Sequence, residues 1–305
     1  MKFPVFDLHC DTTLRPWRHG IEMWENDGHI SFKRGLELPG YAQCFAFFMS
    51  FFKDEGPEKF EEAYAVFQAQ LEKNKEVAVQ CRTADEVQAA LDQKKIAAVL
   101  TIEGAEALGC DPGRIDSAVE KGIRMVGLTW NFENALSGSC KTGNGLTDTG
   151  REFVRRAQKA HILIDTSHLS EKGFYDICDI TEGPVMASHS NAAGVFPHER
   201  NLTDEQFKLI CQTGGCAGIN LYAAFLGEKD VTFETVYQHI DHFLQLGGEN
   251  HIALGGDLDG CEELPQGFNH VDDYNALGEF LVQRGLPEQT VANIFYHNFA
   301  KVVAL

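Results

Sequence analysis

No stretch of this chain approaches the roughly 18 consecutive apolar residues of a membrane-spanning helix. Its start, Met1-Lys2-Phe3-Pro4-Val5-Phe6-Asp7, meets charge too soon to serve as a secretory leader. The nine cysteines are scattered from Cys10 to Cys261 without a C-x-x-C pair. That spacing speaks against a zinc ribbon, an iron–sulfur site or a disulfide framework, and for reduced thiols. Cations are scarce: 26 Lys and Arg stand against 45 Asp and Glu, a net charge of −19. Such a surface repels phosphate backbones and anionic lipid. A Walker sequence and a G-x-G-x-x-G between strand and helix are missing too, which argues against a nucleotide-binding open sheet. The expectation is a soluble, cytoplasmic protein with no nucleic-acid or membrane partner.

What remains is ordinary globular composition, 44% hydrophobic and 23% charged over 305 residues, so disorder and coiled coil are disfavoured. Short apolar runs alternate with helical patterns. The expected strands are Phe3–Leu8, Ala42–Met49, Ile96–Ile102, Met125–Thr129, Ile162–Thr166, Val185–Ser188, Cys216–Leu221 and Ile252–Leu254. These runs are apolar on both faces, as parallel strands covered by helices are. Phe60, Ala63, Tyr64, Phe67 and Leu71 recur at helical spacing. Thr83 with Glu86 and Thr203 with Gln206 read as capping boxes. Asp111-Pro112 opens a helix that Gly122 closes, and Thr232 opens another ending at Gly247-Gly248. Two further helical segments, split at Gly285-Leu286-Pro287, fill Asp272–Leu305. Eight strands with helices between them predict an α/β fold of the eight-stranded parallel β/α (TIM) barrel type, one domain over residues 1–305.

In such barrels the chemistry sits at the C-terminal ends of the strands. Five expected strands end in ligand-type residues: His9 and Asp11, Glu103, His168, His189, and Asp257. Two residues apart on an extended segment, His9 and Asp11 leave by one face and can grip one ion. Imidazole and carboxylate donors suit zinc or another divalent first-row ion. From adjacent strands, His168 and His189 can converge on a second ion, with Glu103 bridging the pair. Two ions about 3.5–4 Å apart can share a hydroxide and polarise a carbonyl. Asp257 is then a carboxylate suited to moving the hydroxide's proton to a leaving amine. Any one of these residues has an ordinary structural explanation; five strand ends delivering ligands to one barrel mouth do not share one.

Other patterns carry less. His239 and His242 are three apart on a helix with no third ligand in view, and are expected on a solvated face. Asp257-Leu258-Asp259-Gly260 imitates a calcium loop, but its glycine falls at the fourth position rather than the sixth. Ser188 and Ser190 flank His189 without a G-x-S-x-G elbow. Phe45, Phe47, Phe48, Phe51 and Phe52 are expected as the second strand and its packing.

Over nearly its whole length the chain resembles the membrane dipeptidase (renal dipeptidase) family of the amidohydrolase superfamily. The resemblance rests on His9-Cys10-Asp11, Ile102-Glu103-Gly104, Ile164-Asp165-Thr166-Ser167-His168-Leu169-Ser170, Ser188-His189-Ser190, Glu199-Arg200-Asn201-Leu202 and Gly255-Gly256-Asp257-Leu258-Asp259-Gly260. It implies two zinc ions, one held by His9 and Asp11 and the other by His168 and His189, with Glu103 between them. It also implies proton transfer by Asp257, capture of a substrate's C-terminal carboxylate by Arg200 with help from Tyr222, and a homodimer. A planar guanidinium suits that role independently, because it can hold a carboxylate bidentately.

One position departs from the family, whose better-known members read Leu-Thr-His after the fourth strand where this chain has Leu128-Thr129-Trp130-Asn131. Tryptophan offers one N–H donor and no proton shuttle. Either Trp130 or Asn131 supplies a donor to the scissile carbonyl, or the metals carry most of that stabilisation, with Trp130 walling the pocket. The expected activity is zinc-dependent hydrolysis of free dipeptides by a metal-bridging hydroxide, and the resemblance implies tolerance of a D-residue at the C-terminal position. Hydrolysis of N-acyl amino acids or lactones, and a non-catalytic peptide- or metal-binding barrel, are the rival readings. Chain-specific selectivity is expected in the loops 17–31 and 131–149.

Overall fold

Apolar runs too short for helices and bounded by polar turns become the strands. The computed structural model describes residues 2–49 and 55–303. Among them are nine strands: β1 Val5–Cys10, β2 Tyr41–Phe48, β3 Ala78–Gln80, β4 Ile96–Glu103, β5 Ile123–Gly127, β6 Leu163–Asp165, β7 Val185–Met186, β8 Ala217–Ile219 and β9 Ile252–Leu254. Eight of them form a nearly closed parallel barrel in the order β7-β6-β5-β4-β2-β1-β9-β8. A parallel contact between Ala187 and Ala217 brings its two ends together. All eight expected strands are present, displaced by at most two residues at either end, and the TIM-barrel expectation holds.

The extra strand, β3, pairs with the lower half of β4 from Ile96 to Ala98, while β5 takes the upper half from Leu100. Three residues long, with Val79 exposed, it has no apolar run by which the sequence could announce it. Every residue of β1 and β4 is buried, as is every residue of β2 but its last, consistent with a sheet covered on both faces.

The helices follow their caps. Thr203 and Gln206 form the expected reciprocal box ahead of Asp204–Thr213. At Thr83 only half of the box forms, because the Glu86 carboxylate takes the Arg82 N–H instead. Asp111 caps a 3₁₀ turn that runs into Ile115–Lys121, and Gly122 stops it at φ +79°. Phe60, Ala63, Phe67 and Leu71 are the buried stripe of Pro57–Lys73 and pack on β2 through Phe45 and Phe47. Phe51 and Phe52 lie outside the described residues. Among the described residues no helix is long and apolar enough to cross a membrane.

Candidate metal centre

Among the described residues, three of the seven non-glycine residues with positive φ stand at the C-terminal mouth of the barrel: His168 (+69°), Asp257 (+57°) and Asp259 (+64°). Left-handed backbone costs such residues about 1–3 kcal/mol each and persists where surrounding contacts enforce it. Gly260 serves the same crowding, since a Cβ there would collide with the carboxylates of Asp11 and Asp257.

The mouth gathers all six residues expected there. His9 Nε2 lies 3.5 Å from Asp11 Oδ2, 3.7 Å from Glu103 Oε2 and 3.8 Å from Asp257 Oδ1. Glu103 Oε1 is 2.8 Å from His168 Nε2 and 3.5 Å from His189 Nε2. The two carboxylate oxygens of Glu103 therefore face different imidazoles, the disposition a bridging ligand needs. His168 Nε2 and His189 Nε2 approach to 2.9 Å, and the His9 and His189 rings stack at 3.9 Å. All six side chains are nearly or wholly buried.

These residues fit a divalent cation on their own chemistry. His9 Nε2 is buried without a hydrogen-bond partner among the described residues. Two ligand groups, His9 with Glu103 and His189, and His9 with Asp11 and Asp257, each bring their donor atoms within 4.8 Å of one another. Without an ion the charges are poorly balanced. Burial pushes the Glu103 carboxyl well above its ordinary range, and Asp11 pushes it further. Burial works to lower the His9 pKa, but Glu103, Asp11 and Asp257 outweigh it and raise the value to about 10. Burial drives His168 and His189 the other way, reinforced by Arg200 and His9, so both rings are neutral and able to donate a lone pair.

The rings are held from behind. Asn131 Oδ1 meets His168 Nδ1 at 2.9 Å. Ser188 Oγ lies 2.7 Å from His189 Nδ1 and donates to Asp165 Oδ2 at 2.5 Å. Asp165 also accepts the backbone N–H groups of Ser167 and Ser188, tying β6 to β7. Asp7 does the same for β1 and β9: it accepts from His9 N and Gly256 N, and from the Tyr274 hydroxyl. Asn220 Nδ2 donates to Asp257 Oδ2 at 3.0 Å, leaving Oδ1 toward the cluster. Ser188, Asp165, Asp7 and Asn220 were not singled out from sequence for these roles; a polar residue inside an otherwise apolar strand run is the only mark any of them carries.

A cavity of about 360 Å³ opens over the cluster, lined by Phe48, Trp130, Asn131, Tyr222, Phe225 and Glu262 besides the ligands. Trp130 packs on Phe48 at 4.7 Å and on Phe132 at 5.8 Å, so it walls the cavity. Beside it, a second cavity of about 350 Å³ is lined by Arg200, Cys140, Ser190 and Glu199. Arg200 is buried, with Nε unpartnered, Nη2 donating to His189 O at 3.4 Å and the guanidinium 5.5 Å from the Phe225 ring. Tyr222 stands at the rim, where its hydroxyl donates to Glu262 at 2.8 Å, a bond that pushes the phenol up to about 12. Tyr222 and Arg200 thus donate to different partners, Glu262 and His189 O, and both pack on the Phe225 ring.

The other patterns resolve as structure. Asp259 accepts from Thr12 Oγ1, His29 N and Ile30 N, which pins the loop after β1 and leaves no calcium loop. His242 pairs with Asp204 at 2.7 Å. His239 corrects the solvated-face expectation: it is fully buried, between Ala192 N–H and Leu226 O. A larger cavity, about 500 Å³, lies at the opposite end of the barrel around Arg124 and Arg155, but among the described residues no ligand-type cluster converges there.

The sequence profile of the membrane dipeptidase family (peptidase family M19) matches residues 1–304. An uncharacterized protein from the PQQ-III 3′ region of Acinetobacter calcoaceticus is 32% identical over 281 residues, covering 79% of this chain and 89% of its own. A metallopeptidase of Rhodobacter sphaeroides, solved with a phosphinate mimic of the dipeptide L-Ala-D-Ala, superposes with a TM-score of 0.90 at 29% identity over 99% of both chains. A solved M19 dipeptidase gives the same score and identity over 99% of this chain and 98% of its own. Barrel, buried ligand cluster and these matches agree: the chain belongs to the membrane dipeptidase family of metal-dependent peptide-bond hydrolases.

Proposed function

We propose that this protein hydrolyses free dipeptides, using two divalent ions, zinc by preference, held by His9 and Asp11 on one side and His168 and His189 on the other, with Glu103 between. The observation that carries the reading is the convergence of one unpartnered imidazole, two neutral ones and three carboxylates under a cavity flanked by a buried arginine. When bound, the ions would supply an ionised water near neutral pH and polarise the scissile carbonyl.

The chain's own groups supply the rest. Asp257 Oδ1 takes the proton of the attacking water and passes it to the leaving nitrogen, while Asn220 steadies Oδ2. Burial, above all, raises the Asp257 pKa and brings it closer to the working pH of a base. Arg200 fixes the substrate's C-terminal carboxylate, and its unpartnered Nε is a free donor for that purpose. With Tyr222 committed to Glu262, its part is to shape the rim with Phe225, and it reaches substrate only by giving up that bond. Trp130 walls the cavity that receives the dipeptide. Tolerance of a D-residue at the C-terminal position is supported by the L-Ala-D-Ala mimic bound to the Rhodobacter sphaeroides relative. One barrel domain over 1–305 carries all of this. Its nine unpaired cysteines fit a reducing compartment, and a cytoplasmic location is part of the reading.

The test is free-amine release by the zinc-loaded protein from L-Ala-L-Ala, L-Ala-D-Ala and D-Ala-L-Ala, with N-acetylated and C-amidated controls. Cleavage of the first two with both controls inert is expected. Cleavage of the acetylated control would transfer the activity to N-acyl amino acids, which Arg200 would serve equally. Silence on every substrate with metal bound overturns the dipeptidase reading.

A further inference from the structure

The residue after Trp130 carries an inference that deepens the proposed dipeptidase function and rests on it in part. His168 Nε2 faces the cluster, 2.8 Å from Glu103 Oε1 and 2.9 Å from His189 Nε2. A ring that offers the Nε2 lone pair to an ion must carry its proton on Nδ1. That Nδ1–H points at the Asn131 side chain 2.9 Å away, and only the amide oxygen can accept it. The orientation of the Asn131 amide is thereby decided by the chemistry of His168. With Oδ1 turned to the ring, Nδ2 is turned away from it. It has no hydrogen-bond partner among the described residues, and Asn131 lines the cavity over the cluster with Glu103, Trp130 and Asp257. The backbone of Asn131 is anchored as well, since its carbonyl accepts from Ser139 Oγ at 3.0 Å.

We infer that the Asn131 amide works from both ends: Oδ1 holds His168 in its ligand tautomer, and Nδ2 donates to the scissile carbonyl oxygen of the dipeptide. The donor to that oxygen thus comes from residue 131, and Trp130 is left as wall. Packing supports that division. The Trp130 ring is held against Phe48 and Phe132 and lies 6.2 Å from the His168 ring. A neutral amide that cannot shuttle protons also leaves proton transfer to Asp257.

The two ends separate experimentally. Metal affinity is measured on the metal-free protein by competition for cobalt(II) and zinc with a chromophoric chelator. Turnover is measured with L-Ala-D-Ala at saturating metal, and melting temperature checks the fold of each variant. Asn131→Ala loses both ends, so affinity for the ion held by His168 falls about 10- to 100-fold and kcat falls about 100-fold or more. Asn131→Asp keeps an oxygen opposite Nδ1–H and loses the donor. Its metal affinity stays within about threefold of wild type while kcat falls about 100-fold, with KM changed far less. Trp130→Phe deletes the indole N–H and keeps the ring, and kcat falls less than about tenfold.

Unchanged metal affinity in Asn131→Ala overturns the Oδ1 role. Retained kcat in Asn131→Asp overturns the Nδ2 role, and a Trp130→Phe loss as deep as that of Asn131→Asp moves the donor to tryptophan. Failure of the wild type on every dipeptide overturns the dipeptidase reading together with the Nδ2 role, while the cobalt and zinc titrations still decide the Oδ1 role.

Discussion

Four histidines are buried to nearly the same degree, three at the barrel mouth and one, His239, in the packing of the Phe233–Gln245 helix. Burial alone does not distinguish them, but their nitrogens do. His239 has both satisfied by backbone: Nδ1 accepts from Ala192 N–H at 3.1 Å and Nε2 donates to Leu226 O at 3.0 Å. At the mouth the Nδ1 atoms of His168 and His189 are served by Asn131 and Ser188, while the Nε2 atoms crowd against each other and around Glu103. Among the described residues His9 Nε2 meets no hydrogen-bond partner, only the carboxylates of Asp11, Glu103 and Asp257 at 3.5–3.8 Å. A histidine satisfied at both nitrogens ties chain segments together, as His239 does, whereas the mouth imidazoles turn Nε2 to the carboxylates, as the proposed ligand role requires.

The strongest way to break that contrast is at the base. Asp257→Asn keeps size and the contact side of Asn220 but cannot take a proton. We expect kcat to fall about 100- to 10,000-fold with bound metal retained, measured by turnover and metal analysis of one preparation. Turnover close to wild type would remove Asp257 from the mechanism, and loss of metal would make it a ligand, as its 3.8 Å approach to His9 allows. Chelation addresses the cluster as a whole. Stripping the ions should abolish turnover and lower the melting temperature, because buried carboxylates and imidazoles lose their common partner. An unchanged melting curve after verified metal removal would mean that the cluster is self-sufficient, as His239 is.

Next in size is the support behind the ligands. Ser188→Ala removes the hydroxyl between His189 Nδ1 and Asp165 and leaves the ring unanchored. Zinc affinity is expected to fall about tenfold or more, and Ser188→Thr to recover most of it. Equal affinities in all three proteins would reduce the serine to packing.

The distribution of what the sequence disclosed follows from the same contrast. Barrel strands are apolar runs and the clustered imidazoles and carboxylates are polar residues at their ends, so β1 with His9 and β4 with Glu103 are visible as local patterns. β3 is invisible because Ala78-Val79-Gln80 has neither length nor an apolar run, and owes its state to the free lower edge of β4. The supporting contacts are invisible for a different reason. Asn220 reaches Asp257 across 37 residues, and Ser188 reaches Asp165 across 23. Such pairs exist only once β6 lies against β7 and β8 against β9. The solvated-face expectation for His239 fails for that reason too, since its partners come from the loop after β7 and from Leu226 rather than from its own helix.

The smallest effect sharpens the comparison from the other side. Burial, above all, lowers the His239 pKa from 6.5 to about 4. Its contribution to stability is therefore complete above about pH 6.5. It is lost as the pH falls toward 4, because the unfolded chain takes up a proton that the folded one refuses. Over the first unit below 6.5 the loss is about 1 kcal/mol. His239→Gln carries no such proton, so urea midpoints of wild type and variant should converge as the pH drops from 6.5 to 5.5, while dipeptide turnover at neutral pH stays intact. Parallel midpoints across that range would mean that the ring is charged in the folded protein, which its acceptor role toward Ala192 N–H forbids. Loss of turnover at neutral pH would instead couple His239 to the mouth and erase the distinction between a histidine that holds the fold and one that holds an ion.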